Sequence, residues 1–247
     1  MMTTLRQRFG GYLNALMGFI AGLTVCVCAS AQALDASCGS LENAYGPYDY
    51  RTDRGNRLYL VESAHFTPVV ESLISGLSGP LGAELDYTLR AFPNHHRALI
   101  SVRRYGQKTK LPQPPNLRYT VECYFARALQ FRPDDTTVRM LYAGYLYQNN
   151  RPDEAATQLE RTSFDAKENG FTQYNIGLVH LEAKQYDKAL VQAHRAIALG
   201  FTRPDLKDRL VAVGRWREPE VPAPPEAAAS GPVPLPVDAP GSAPSGR

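Results

Sequence analysis

Ala155, in Arg-Pro-Asp-Glu-Ala-Ala, and Ala189, in Gln-Tyr-Asp-Lys-Ala-Leu, stand 34 residues apart in matching surroundings. A further step of 34 upstream reaches Val121, which opens Val-Glu-Cys-Tyr-Phe-Ala-Arg-Ala-Leu-Gln-Phe-Arg-Pro. Helix-forming sequence repeated at this interval builds one helix–turn–helix unit several times over. No unit can bury its apolar face alone, so each packs on the next. Arrays of this kind mostly offer surface to a partner. Binding is therefore the first function to weigh.

The stretch Phe171–Leu199 carries the period most clearly. Its first helix holds Ile176 and Gly177. Its second holds Tyr186, Ala189, Leu190, Ala193, Ala196, Ile197 and Leu199. The unit opened by Val121 contributes Phe125, Ala128, Leu129, Phe131 and Pro133, and the middle unit Ala143, Leu146, Pro152, Ala155 and Leu159. Small residues let antiparallel helices approach, and large apolar ones fill the spaces between units. This pattern resembles the tetratricopeptide repeat family over about residues 81–200, with the best repeats near 102–135, 136–169 and 170–203. Phe125, Ala128, Pro133, Ala155, Gly177, Ala189 and Ala196 match its signature positions. Three positions depart from it: His180 replaces an aromatic, Phe201 replaces Pro, and Thr162 replaces Ala. Gly200 supplies a helix stop instead. The resemblance implies an all-α fold, an α-solenoid of helix hairpins spanning 66–216.

Upstream the register slips. Pro93 and Pro133 are 40 apart, six more than the period. The surplus is placed in Lys108–Leu117, where Pro112, Pro114 and Pro115 bar a helix interior. Thr67-Pro68, followed by Val69, Val70, Leu73, Ile74 and Leu77, predicts a helix with Thr67 as N-cap and Gly79-Pro80 as its end. Downstream, Pro204 opens a closing helix with Leu206, Leu210 and Val213 on one stripe. Residues 34–65 read as a loop-rich arm punctuated by Gly39, Gly46-Pro47 and Gly55. Within that arm, Arg57–Val61 is a candidate short strand. The arm is expected to lie against the repeats.

Both ends fall outside the expected fold. Arg6 and Arg8 precede a stretch from Phe9 to Leu34 without a charge. Small-x-small sites end at Ala31 and Ala33, so residues 1–33 have the layout of a secretory signal peptide. Export to the periplasm or outside the cell follows. An uncleaved inner-membrane anchor is the alternative, because the run is long enough to span. After cleavage no stable membrane span remains. Residues 217–247 hold nine prolines in 31 positions, which predicts a disordered tail. Processing at either site leaves two cysteines, Cys38 and Cys123, in an oxidising compartment, and a disulfide between them is expected.

No spacing demands chemistry. Gly-x-Ser-x-Gly, His-Glu-x-x-His and phosphate loops are absent from the sequence. The adjacent His95 and His96 diverge by about 100° on a helix and do not share an ion. They read as two surface histidines at a helix start, with His180 as a packed, hydrogen-bonded core residue. No catalytic residue, metal or cofactor is assigned, and the chain is read as not an enzyme. Tyr87–Val121 contains seven Lys and Arg and no acid. The family resemblance places Arg97, Arg104 and Lys108 on the concave groove, with Met140, Tyr147, Phe171, Tyr174 and Leu178 on the later repeats. For Tyr174 and Leu178, packing on neighbouring helices is the alternative role. A groove basic at one end and aromatic at the other suits a protein or extended peptide with acidic and apolar residues. Nucleic acid is a poor partner for an exported chain. The expected function is an envelope adaptor. A self-assembling structural component is the second class, and an uncharacterised enzyme or metal-binding protein the third.

Overall fold

Helix starts are written in side chains that accept an orphan backbone amide. Thr120 receives the amide of Cys123 at 3.2 Å, Asp135 that of Val138 at 3.1 Å, and Asn169 that of Thr172 at 3.0 Å. Pro152 opens its helix at the first position. The computed structural model, which describes residues 38–219, holds ten helices and no strand among the described residues. They are α1 (Asn56–His65), α2 (Pro68–Glu71), α3 (Leu81–Ala91), α4 (His96–Thr109) and α5 (Val121–Phe131), then α6 (Thr136–Gln148), α7 (Pro152–Ala166), α8 (Gly170–Glu182), α9 (Tyr186–Ala198) and α10 (Asp205–Ala212). The expected signal peptide at 1–33 and the expected tail beyond residue 219 lie outside the described residues.

The 34-residue step reappears as geometry. Both α6 and α8 start and stop 34 residues apart, and α7 and α9 start 34 apart. Their turns match as well. Arg151 N donates to Leu146 O at 3.0 Å around Asn150, whose φ is 58°. Gln185 N donates to His180 O at 2.8 Å around Lys184, whose φ is 59°. Each closes the end of a helix through a left-handed residue. Helix α6 packs on α7, α8 on α9, and α7 on α8. Helix α4 lies beside α6, α6 beside α8, and α10 against both α8 and α9. The seams are filled as the spacing predicts: Phe125, Ala128, Ala155, Ala189 and Ala196 are all buried. At Gly177 a Cβ would stand 2.5 Å from the end of Leu206, so this glycine brings α10 close to α8.

Two expectations near the N-terminus are corrected. Arg57–Val61 is not a strand but part of α1. Only Leu58 and Val61 of that helix are buried, too short a stripe to show a helical period. The helix expected over Thr67–Leu77 stops at Glu71, because Leu73 takes a left-handed φ of 59° that no glycine announces. Thr67 caps with its backbone and makes no side-chain cap bond. The stripe on α10 is shorter than expected as well, since Val213 is exposed while Leu206 and Leu210 are buried.

The arm lies against the helices on the α3 and α5 side. Cys38 is bonded to Cys123 on α5, with Cα atoms 5.2 Å apart. Arg127 Nη1, on the next turn of α5, donates to the carbonyls of Cys38, Gly39 and Ser40 at 2.9, 3.2 and 2.7 Å. Farther along, Tyr48 N donates to Ala91 O and Tyr50 N to Asn94 Oδ1. The arm therefore flanks α4, α6 and α8 rather than running along them.

Candidate functional site

The eight positions assigned to the groove sit on α4, α6 and α8, and the structure divides them. Met140, Phe171 and Leu178 converge on a cavity of about 410 Å³ that Arg103, Thr137 and Gly144 complete. Phe171 keeps 54% of its surface exposed. Tyr147 lines a neighbouring recess of about 250 Å³ with Gly144 and Val179. Its hydroxyl meets His180 Nδ1 at 3.1 Å. Tyr174 takes its alternative role. It is 5% exposed, packs in the α8–α9–α10 core, and its ring centroid lies 5.1 Å from that of Phe201.

The basic end is partly occupied from within the chain. Arg97 donates through Nε to Glu71 at 2.8 Å and through Nη1 to Glu62 at 3.3 Å. Its guanidinium also sits over the Phe66 ring. Lys108 Nζ donates to Leu73 O at 3.1 Å. Residues of α1, α2 and the turn after α2 thus take up two of the three cations expected to face a partner. Arg104 is exposed and forms no ion pair among the described residues.

Arg103 was not among the expected groove residues, yet it stands at the meeting point. It lines the Met140–Phe171–Leu178 cavity on one side. On the other it lines a second cavity of about 410 Å³ with Gln107, Lys110 and Gln148. Its Nε is buried without a partner. Burial pulls the guanidinium below its ordinary value, the Glu182 charge opposes this, and the Arg104 charge adds to it. A Cβ at Gly144 would lie 2.8 Å from Arg103 Nη1. A glycine inside a helix costs about 1 kcal/mol against alanine, and here its missing side chain leaves the room the guanidinium uses. Counting back 40 residues from Ala143, the step that separates Pro133 from Pro93, lands on Arg103. The unit before α6 therefore carries a long cation where the next two carry Ala143 and Gly177.

His95, His96, Asp49 and Asp135 make contacts between the arm and the helix turns. His95 is not a surface residue: it is fully buried, its ring 4.1 Å from that of Tyr50. Its Nδ1 accepts from Ala98 N at 3.2 Å as the cap of α4, and its Nε2 lies 3.1 Å from Glu62. His96 Nε2 meets Asp135 at 2.9 Å, and Asn94 bridges Asp135 to Asp49 of the arm. Burial works against ionisation of Asp49. Hydrogen bonds from Arg51 and Asn94 outweigh it and hold the carboxyl well below the usual carboxylate range. These contacts tie the arm to the α3–α4 and α5–α6 turns. Among the described residues no three His, Cys, Asp or Glu side chains are grouped to hold a metal ion.

No family model matches this chain, and neither a curated protein nor a solved structure is similar to it. The geometry carries the functional argument alone.

Proposed function

We propose that this chain is an exported tetratricopeptide-like scaffold, periplasmic or secreted, that binds an extended segment of another envelope protein along α4, α6 and α8. The observation that carries the proposal is the convergence of Met140, Phe171 and Leu178, from two helices 34 residues out of phase, on one open cavity with a cation at its edge. Apolar and aromatic anchors beside an arginine are the side chains that concentrate interface energy. The equal offsets of α6–α7 and α8–α9, with α10 covering the last pair, support a stacked α-solenoid that α10 terminates. The Cys38–Cys123 bridge supports an oxidising compartment. No helix among the described residues is long and apolar enough to cross a membrane.

A photo-crosslinking residue placed singly at Met140, Phe171 or Val191 tests this in intact cells. Val191, on α9, is 62% exposed and lies outside the groove. Positions 140 and 171 are expected to give the same adduct, and position 191 none. Adducts at 191 alone, or at none of the three, overturn the proposal.

A further inference from the structure

Arg103 presents a chemical problem that the fold leaves open. A guanidinium carries five N–H donors and stays charged, so its partial burial without acceptors costs stability. Among the described residues Arg103 makes no hydrogen bond or ion pair, and its buried Nε has no partner. Other arginines behave differently. Arg127 and Arg139 also bury an unpartnered Nε, but Arg127 donates through Nη1 to three carbonyls and Arg139 through Nη1 to Gln158. Arg97 and Arg151 are each held by two carboxylates.

The surroundings do not neutralise Arg103 either. The other charged groups lining its two cavities are Glu182 in one and Lys110 in the other, and the Arg104 charge acts on it from the next position in sequence. Glu182 is exposed and lies outside ion-pair distance. Gly144 clears the space in front of Nη1. An arginine at a seam that Ala143 and Gly177 fill elsewhere, with a glycine opposite, keeps a cation available at the groove floor.

We propose that Arg103 recognises a carboxylate: the Asp or Glu side chain of an extended peptide whose adjacent apolar side chain enters the space between Met140, Phe171 and Leu178. This rests on the groove reading given above. A planar guanidinium binds a carboxylate through two parallel N–H···O bonds, which fixes orientation as well as charge. The apolar wall favours a peptide over a bare ion, because a small anion leaves that wall wet.

The purified protein is offered a library of random octapeptides, N-acetylated and C-amidated so that every carboxylate is a side chain. Wild type is expected to enrich Asp or Glu beside Leu, Ile, Met or Phe. For the best peptide, Arg103→Met weakens binding about 10- to 100-fold, the factor for a lost charge-assisted hydrogen bond. Changing the peptide's acid to its amide costs wild type a similar factor and costs Arg103→Met little more. Circular dichroism checks the fold. If Arg103→Met does not fold, Arg103→Lys takes its place, keeping charge without the fork, and is expected to bind at least several-fold more weakly. Failure of wild type to select any peptide removes the groove reading itself. Selected peptides without acid enrichment, or an acid preference that survives Arg103→Met, overturn the role of Arg103 and leave the groove standing. Binding of inorganic phosphate lost in Arg103→Met, without acid enrichment in the peptides, makes this a free-ion site and also overturns the proposal.

Discussion

At the residue scale, buried polar side chains separate into those the fold satisfies and those, Arg103 among them, that keep an unpartnered atom. His180 belongs to the first kind. It is 5% exposed, bonds Tyr147, and is pulled down to about 4 by burial and by the charge of Lys188. An unfolded imidazole keeps its value near 6.5. Between those values the unfolded chain binds more protons, so the contribution of the neutral ring is present above pH 6.5 and lost as pH falls toward 4. Urea midpoints at pH 7.5 and pH 5 should show wild type losing about 2 kcal/mol from this group, and His180→Phe losing correspondingly less. Equal losses in the two proteins contradict the assignment. Carboxylates held low, such as Glu84 and Asp135, give up their stability mainly below pH 5 and in both proteins alike. His180 was legible in the sequence because it occupies an aromatic position of a well-phased repeat. Arg103 was not, because the six-residue slip between Pro93 and Pro133 hid which residue stood at the seam, and a run of seven cations gave no reason to single it out. His95 was misread for a related reason: nothing near it in sequence announces that Tyr50 and Glu62 enclose it.

At the element scale, legibility followed the length of the apolar stripe and the strength of the stop signals. Helices α5 to α9 are 11 to 15 residues long and phased by alanine or, in α8, by Gly177, and each falls within the unit the spacing assigned to it. The insertion also fell where the prolines placed it, since the chain from Lys110 to Thr120 separates α4 from α5 while three residues separate α6 from α7. Helix α1 escaped because it buries only two residues, and α2 was foreseen at its start but not at its end, which a left-handed leucine two residues beyond Glu71 enforces. The start of the arm is held by one covalent tie and one guanidinium. The bridge closes a segment of 85 residues, for which chain entropy gives about 4–5 kcal/mol. Cys123→Ser should lower the guanidinium denaturation midpoint by that order, and a reducing agent should do the same to wild type and nothing to the variant. An unchanged midpoint in both cases contradicts a structural bridge.

At the scale of the molecule, apolar clusters run without a break in sequence from α2 through α6, across the α6–α8 seam, and on to α10. The arm lies on the α3–α5 side and α10 packs on α8 and α9, while the surface across α4, α6 and α8 keeps Met140, Phe171 and Leu178 beside the unpaired Arg103. Its basic edge is narrower than composition suggests, because Glu62, Glu71 and the Leu73 carbonyl occupy Arg97 and Lys108. Amide and methyl NMR of the labelled protein, titrated with the octapeptide selected by wild type, tests the central claim most directly. The account requires the shifted resonances to cluster on Met140, Gly144, Phe171, Leu178 and the second half of α4. Shifts confined to α5, α7 and α9, or no shifts at saturating peptide, contradict it.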